Sequence, residues 1–386
     1  MTHRVLLAVI YFAFISLGLP DSVFGVAWPS MRLDLGQPVQ AAGLATLILT
    51  ACSALSSLAS GVVLRRFGVG TVVMVSGFLT GFALLGFALS PSFPWVLLLA
   101  VPLGLGAGSV DAGLNHFVAE HYSSRHMNWL HACWGVGATI GPFIMGAALA
   151  GADGWQGGYR SIAVIQLTLS VLFLLSLRLW SHEHSVPRRA EHVAAPGRAV
   201  RPPPAWAPWL AVSLYPLYAV VEVGTNLWAA SILVEGRRIA PAAAGLWVAC
   251  FFGAIMAGRF AVGLVAVRFG NRALVRMGLA LALMGAGLFS ADRLPDAVAL
   301  AGLVMLGLGC APVYPSLMHE TTRRFDADTA RKVVGRQVAF AYVGAALGPA
   351  GLGLLGAALG LGAILPAVMV ALALLLLLSW RLDRVT

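Results

Sequence analysis

Three carboxylates lie well inside apolar stretches of this 386-residue chain: Asp21, Asp111 and Glu222. A charged side chain at the centre of a bilayer costs several kcal/mol, from roughly 2.5 upward. An unpaired acid there takes up a proton instead, which suits it to proton exchange. Asp111 and Asn115 are four residues apart and share one helix face. Gly104 and Gly108 continue that face and leave room for a neighbouring helix or for a bound solute. A carboxylate and an amide side by side bind hydroxyls; the alternative is a polar pair bonded between helices for packing. Asp21 follows Gly18 and Pro20. Proline removes a backbone donor and loosens the helix, and broken helices at membrane depth are tolerated where they line a cavity. The competing role for Asp21 is a cap near a helix end.

Tyr215, Tyr218, Glu222, Thr225 and Asn226 fall at i, i+3, i+7, i+10 and i+11, one helical stripe. The stripe predicts a polar wall facing the interior, with a Glu222–Arg259 pair as the structural alternative. Asn128, His131, Gly135 and Thr139 make a second stripe, in which His131 either carries a proton or makes a helix contact. Trp28, Trp134, Trp228, Trp247 and Tyr314 are candidates for stacking on the C–H faces of a sugar. Interfacial anchoring competes with that role and is expected for Trp28 and Trp155. Glu120 and Glu320 end two apolar spans near Arg66, Arg125, Arg331 and Arg336, and ion pairs among them would close a gate between moving halves. Pairing at the surface with lipid headgroups competes with that reading.

The elements that must position these groups are membrane spans. The chain is 59% hydrophobic and 10% charged, with a mean hydropathy of +0.87, whereas soluble domains carry roughly 25% charged residues. Apolar windows give twelve spans, roughly 5–30, 39–64, 69–90, 94–120, 127–150, 159–180, 207–234, 240–267, 272–291, 296–319, 332–358 and 361–381. Val5 to Trp28 has no small-residue cleavage motif and reads as a permanent helix. Lys and Arg divide nineteen to five between alternate sides, with Arg259 left out inside a span. By the positive-inside rule both termini are cytoplasmic, so the net charge of +10 is a topology signal and calls for no nucleic-acid partner.

The longest break, Ser181 to Pro208, is rich in Pro, Arg and Ala and reads as a cytoplasmic linker. It separates a bundle over 1–180 from one over 207–386, the linker proper being 181–206. The halves repeat one another: "GVVLRRFG" (Gly61–Gly68) recurs as "GLVAVRFG" (Gly263–Gly270), "GLGAGSV" (Gly104–Val110) as "GLGCAPV" (Gly307–Val313), and "VGATIGP" (Val136–Pro142) as "VGAALGP" (Val343–Pro349). The expected fold is an all-α membrane protein of twelve transmembrane helices in two pseudo-symmetric six-helix bundles. Such repeats suit a secondary transporter with its site at the interface of the halves, near the midplane. Opposite Asp111 the second half has Tyr314, and opposite Asn115 it has Met318, so the acid and amide belong to the first half alone.

Other chemistries find no support. There is no GK[ST] phosphate loop for ATP-driven transport and no HExxH. "GAGSVDAG" is glycine-rich but lies inside a span and not after a soluble strand. Cys52, Cys133, Cys250 and Cys310 are scattered singly, without metal or disulfide spacing. No enzyme activity, metal or cofactor is expected.

With these features the chain resembles the major facilitator superfamily over essentially its whole length: twelve spans, a long central linker and a G-x-x-x-x-R-x-G loop after spans two and eight. The family's loop after span two usually has an acidic residue just before the arginine, where this chain has Leu64 and Arg65. A finer resemblance is to the fucose–proton symporter branch of bacterial sugar permeases, carried by "GLPDSVFG", "DAGLN", "NWLHACWGVGATIGP", "LYAVVEVGTNLW" and "GLGCAPVYPSL" in order. It implies roles in sugar binding and proton coupling for acids that map onto Asp21 and Asp111, the latter commonly a glutamate in that branch. Polar residues of its fifth span map onto His131 and Trp134.

The expectation is a proton-coupled importer of a sugar or sugar-like polar solute, working by alternating access. It would be a monomer among the lipids of a bacterial-type inner membrane. Proton-antiport efflux of drugs or metabolites is the alternative, followed by lipid transport. Proton-coupling candidates are Asp111, Asp21, Glu222 and His131. Solute-binding candidates are Asp21, Asn115, Trp134, Tyr215, Tyr218, Asn226 and Tyr314. Gate candidates are Glu120, Glu320, Arg66 and Arg336.

Overall fold

A computed structural model of the chain describes residues 2–122, 124–180 and 203–386. The expected linker therefore lies almost wholly outside the described residues, as do the side chains of Glu120, Arg125 and Asn128. Among the described residues, twelve helices or helix pairs are long and apolar enough to cross a membrane. The chain runs α1 (Thr2–Asp21), α2 (Val23–Asp34), α3 (Ala41–Phe67), α4 (Val69–Ala88), α5 (Phe93–His121), α6 (Ser124–Leu149) and α7 (Gly154–Trp180). The second half is α8 (Ala207–Ser231), α9 (Pro241–Phe269), α10 (Asn271–Ser290), α11 (Asp296–Cys310), α12 (Val313–Arg324), α13 (Ala327–Leu359) and α14 (Ile364–Val385).

Two spans expected to be continuous are broken, both at proline. The first is divided at Ser22, just after Pro20, into α1 and α2. The Ser22 hydroxyl donates to the Ala138 carbonyl of α6 at 2.8 Å. The tenth is divided at Ala311–Pro312 into α11 and α12, and the Tyr218 hydroxyl donates to the Cys310 carbonyl at the break, at 3.1 Å. A proline leaves one carbonyl of the preceding turn without its helical donor. Buried polar groups at such breaks are satisfied by neighbouring helices, which keeps the irregular backbone away from lipid.

Within the first half α1 packs on α6, α3 on α5 and α4 on α7; within the second, α8 packs on α13 and α10 on α11. Glycines bring α1 and α6 into backbone contact: a Cβ on Gly18 would lie 2.1 Å from the Trp134 carbonyl oxygen, and one on Gly137 would lie 2.1 Å from that of Ile15. The N-terminus of α13 is capped by Asp326, which accepts from the Asp328 and Thr329 amides. Those bonds hold its carboxyl below the usual aspartate range.

The halves meet through α6 with α9, α3 with α13, and α2 with α8. They are tightest at the end of the molecule away from the termini. There Gly146 meets Gly245, Gly43 meets Ala350, and Gly25 lies against the Asn226 and Leu227 backbones. Arg32 of α2 pairs with Glu235, in a π-helical turn (Ile232–Gly236) that follows α8, at 2.8 Å. At the opposite end the halves part.

Trp28 and Trp155 correct an expectation. Neither is an interfacial anchor: their side chains are enclosed in the first half, with relative exposures of 0% and 2%. The Trp28 indole donates to the Val39 carbonyl and the Trp155 indole to Asp34. Partners at the end of α2 and in the loop after it satisfy the ring N–H that a membrane anchor would present to water.

Candidate functional site

Between the halves lies a cavity of about 1830 Å³. Phe24, Asp21 and Asn226 close its inner end, and Leu264, Arg268 and Arg323 stand at its mouth. The mouth is on the side of the molecule that carries the α3–α4 and α9–α10 loops, the side of both termini.

The first half supplies both acids. Asp21 stands at the end of α1, where the α1–α6 glycine crossing brings it beside α6, and the Trp134 indole N–H donates to its Oδ2 at 2.8 Å. From the second half, the Asn226 side-chain amide donates to the Asp21 backbone carbonyl at 3.1 Å. Asp111 lines the cavity from α5. Asn115 does not reach the lining: its amide donates to the Asp111 Oδ1 and main-chain oxygen, both at 2.9 Å, so it holds the acid rather than facing the cavity. Among the described residues neither Asp21 nor Asp111 has an ion-pair partner. His131 also lines the cavity, edge-on to Phe14.

The second half supplies an ion pair. Arg259 of α9 reaches Glu222 of α8 at 3.3 Å, and both line the cavity. The Arg259 guanidinium also lies over the Trp134 ring, 5.3 Å from its centroid. Tyr314 of α12 and Tyr342 of α13 complete the wall.

The stripe expected on α8 is divided by depth. Glu222 and Asn226 face the cavity, but Tyr215 and Tyr218 are buried and stand outside its lining. α12 covers this level of α8: Tyr314 packs edge-on against Tyr215 at 5.1 Å and lies 6.0 Å from Tyr218, so the wall there is Tyr314. The helical period placed these residues on one azimuth, but only a neighbour decides which turns of that azimuth are open.

Of the gate candidates, Glu120 lies outside the described side chains, and Glu320, Arg66 and Arg336 each bind within their own half. Glu320 is bound inside the second half by Arg272 at 3.0 Å, with Arg323 and Arg324 nearby, and Asp383 joins the cluster through Arg324. Arg336 stacks on Trp209 of its own half at 4.6 Å, and Arg66 lies over Phe67. Sequence reasoning missed three features: the Trp134–Arg259 contact, Tyr342 and the Arg32–Glu235 pair. A hydroxyl in the middle of the apolar run "VAFAYVGAALG" was a signal for Tyr342. Nothing local pointed to the other two, because their partners lie in opposite halves. Among the described residues no group of three or more His, Cys, Asp or Glu could hold a metal.

Two six-helix bundles around a central cavity that holds two acids and an ion pair and opens to one side define a membrane carrier. The family profile described as Major Facilitator Superfamily matches residues 10–236, more than half of the chain, and the chain belongs to that superfamily of transporters. No curated protein matches it. Among solved structures it is similar to a bacterial homolog of the human lysosomal transporter Spinster, inward-facing and occupied, at 15% identity and a TM-score of 0.81, over 100% of this chain and 97% of that one. It is also similar to a D-xylose–proton symporter, at 12% identity and TM-score 0.80, over 99% and 98%. A point mutant of the nucleoside transporter NupG aligns at 11% identity and TM-score 0.77, over 97% and 98%.

Proposed function

We propose that this transporter imports a sugar or sugar-like polar solute together with protons, by alternating access. The observation that carries the reading is the pair of cavity acids, Asp21 and Asp111, each holding a neutral hydrogen-bond donor and neither an ion-pair partner among the described residues. A carboxylate so placed releases its charge by protonation more cheaply than by moving charged through an occluded state. The amide of Asn226, the phenol of Tyr314 and the aromatic face of Trp134 suit a solute with hydroxyls and apolar C–H faces. The chain is placed in a bacterial-type inner membrane with both termini, and hence the mouth, on the cytoplasmic side, which the arginine bias supports. Each proton moved inward along the field then contributes about 2.3 kcal/mol per 100 mV, more than tenfold in accumulation.

The test is uptake of labelled sugars, polyols and sugar acids into proteoliposomes under an imposed proton gradient. Uptake that a protonophore abolishes is expected. Asp111→Asn should lose gradient-driven accumulation and keep substrate exchange down a concentration gradient; accumulation by that variant would remove Asp111 from the coupling role. The size of the cavity and the phenylalanines in its wall, Phe14, Phe24 and Phe252, favour proton-antiport efflux of a larger amphiphile as the second reading. Proton-driven loss of preloaded solute would select it.

A further inference from the structure

Across the cavity runs a chain of contacts that links the acid of one half to the ion pair of the other. The Trp134 indole N–H donates to Asp21 at 2.8 Å. The face of the same ring carries the Arg259 guanidinium at 5.3 Å. Arg259 holds Glu222 at 3.3 Å. α1 and α6 belong to the first half, α8 and α9 to the second, so the Trp134–Arg259 contact is the step that crosses between them. Close by, a Cβ on Gly135 would lie 3.1 Å from Met256 of α9, so α6 and α9 pack side by side at this level.

We infer that Trp134 is the positioning residue that transmits the charge state of Asp21 to the relative position of the two halves. The inference rests on the proton-coupling reading above. A carboxylate that accepts from an indole N–H polarises the ring and enriches its face, and linked polar contacts strengthen one another. An electron-rich indole is the best of the aromatic faces for a guanidinium, more so away from water. Charged Asp21 therefore tightens the Trp134–Arg259 contact and favours the arrangement seen here, with the mouth open. Protonated Asp21 is a weaker acceptor, the contact loosens, and the halves are freed to close the mouth.

Other titratable or charged groups line the same cavity from the surrounding helices: Asp111 from α5, His131 on α6, Tyr159 from α7, Glu222 from α8, Arg259 and Arg268 from α9, Tyr314, His319 and Arg323 from α12 and Tyr342 from α13. None of them touches both Asp21 and the opposite half through one side chain, as Trp134 does. The variants below leave Asp111 and His131 in place, so a pH response that arises at either survives in them.

The experiment measures mouth width by spin-label distances between Phe67→Cys on α3 and Lys332→Cys on α13, in the full chain in proteoliposomes at pH 8 and pH 5, without substrate. The expected result is a distribution that narrows on acidification. Trp134→Phe keeps a ring but lacks the N–H. It should show the narrow distribution already at pH 8 and less than half of the acid-driven change. Asp21→Asn should match it, and the double variant should add nothing further. A further variant guards against misfolding at Trp134: Glu222→Gln with Arg259→Gln removes the cation without stranding an acid, and should also lose more than half of the response. A full response in Trp134→Phe, or in the double glutamine variant, overturns the inference and leaves proton coupling standing. A parent protein that does not respond to pH also overturns the inference, whereas proton coupling itself falls only if uptake in proteoliposomes is insensitive to the proton gradient.

Discussion

Asn115 shows how a residue outside the cavity can still serve it. Its amide donates twice to Asp111, which leaves the other carboxylate oxygen to the cavity. A hydrogen bond to a charged group contributes about 1.5–3 kcal/mol. Asn115→Leu keeps the volume and removes the donor. Its expected effect is an initial rate of proton-driven uptake lower by about tenfold or more, if that difference falls on the transport step. Uptake by Asn115→Leu at the parent rate would return Asn115 to a packing role. The pairing was legible in the sequence from the four-residue spacing. Which of the two side chains meets the cavity was not, because residues one turn apart share an azimuth and differ in depth. Glu222 and Arg259 show a different limit. Cavity wall and structural pair are not alternatives for them, since a salt bridge can itself be a wall.

At the scale of elements, the glycines of α5 decide where Asp111 stands. A Cβ on Gly108 would lie 2.0 Å from the Ser53 carbonyl oxygen of α3, so α3 and α5 touch backbone to backbone one turn from the acid. Gly104 and Gly108 make room for a helix, α3, and not for a solute. Gly108→Ala should therefore part the two helices and cost about 1–3 kcal/mol, read as a lower melting temperature in detergent. Gly61→Ala is the control on the same α3, because its Cβ would meet only Arg65 Nη1 at 3.8 Å, and it should not lower the melting temperature. Proline alone does not decide where a span breaks, since Pro102, Pro142, Pro216 and Pro349 lie inside continuous helices. Pro20 and Pro312 mark the two places where a span breaks, one in the first span and one in the tenth. Those spans are not equivalents in the repeat, so the breaks lend the molecule asymmetry.

For the whole molecule the governing quantity is the balance between two orientations of the halves. The end away from the termini is held by close backbone approaches and by the Arg32–Glu235 pair, whose side chains remain 19% and 26% exposed. A pair that exposed is worth about 0.2–1 kcal/mol, or up to about a fivefold bias toward the state seen here. Arg32→Gln should shift the population toward opening of that end, read as a wider distance between spin labels at Leu33 and Ala240. The swap Arg32→Glu with Glu235→Arg should restore it. An unchanged distance in Arg32→Gln would show that the backbone contacts suffice. By itself the sequence determined the twelve spans, the repeat and the acids inside the membrane, because hydropathy and helical period act within a few turns. The tertiary structure alone decided that Tyr314 screens Tyr215 and Tyr218, that Trp134 of one half meets Arg259 of the other, and which end of the cavity is open. Those depend on how helices distant in sequence cross and how two rigid bundles lean together, and no local pattern of residues encodes an angle between two bodies.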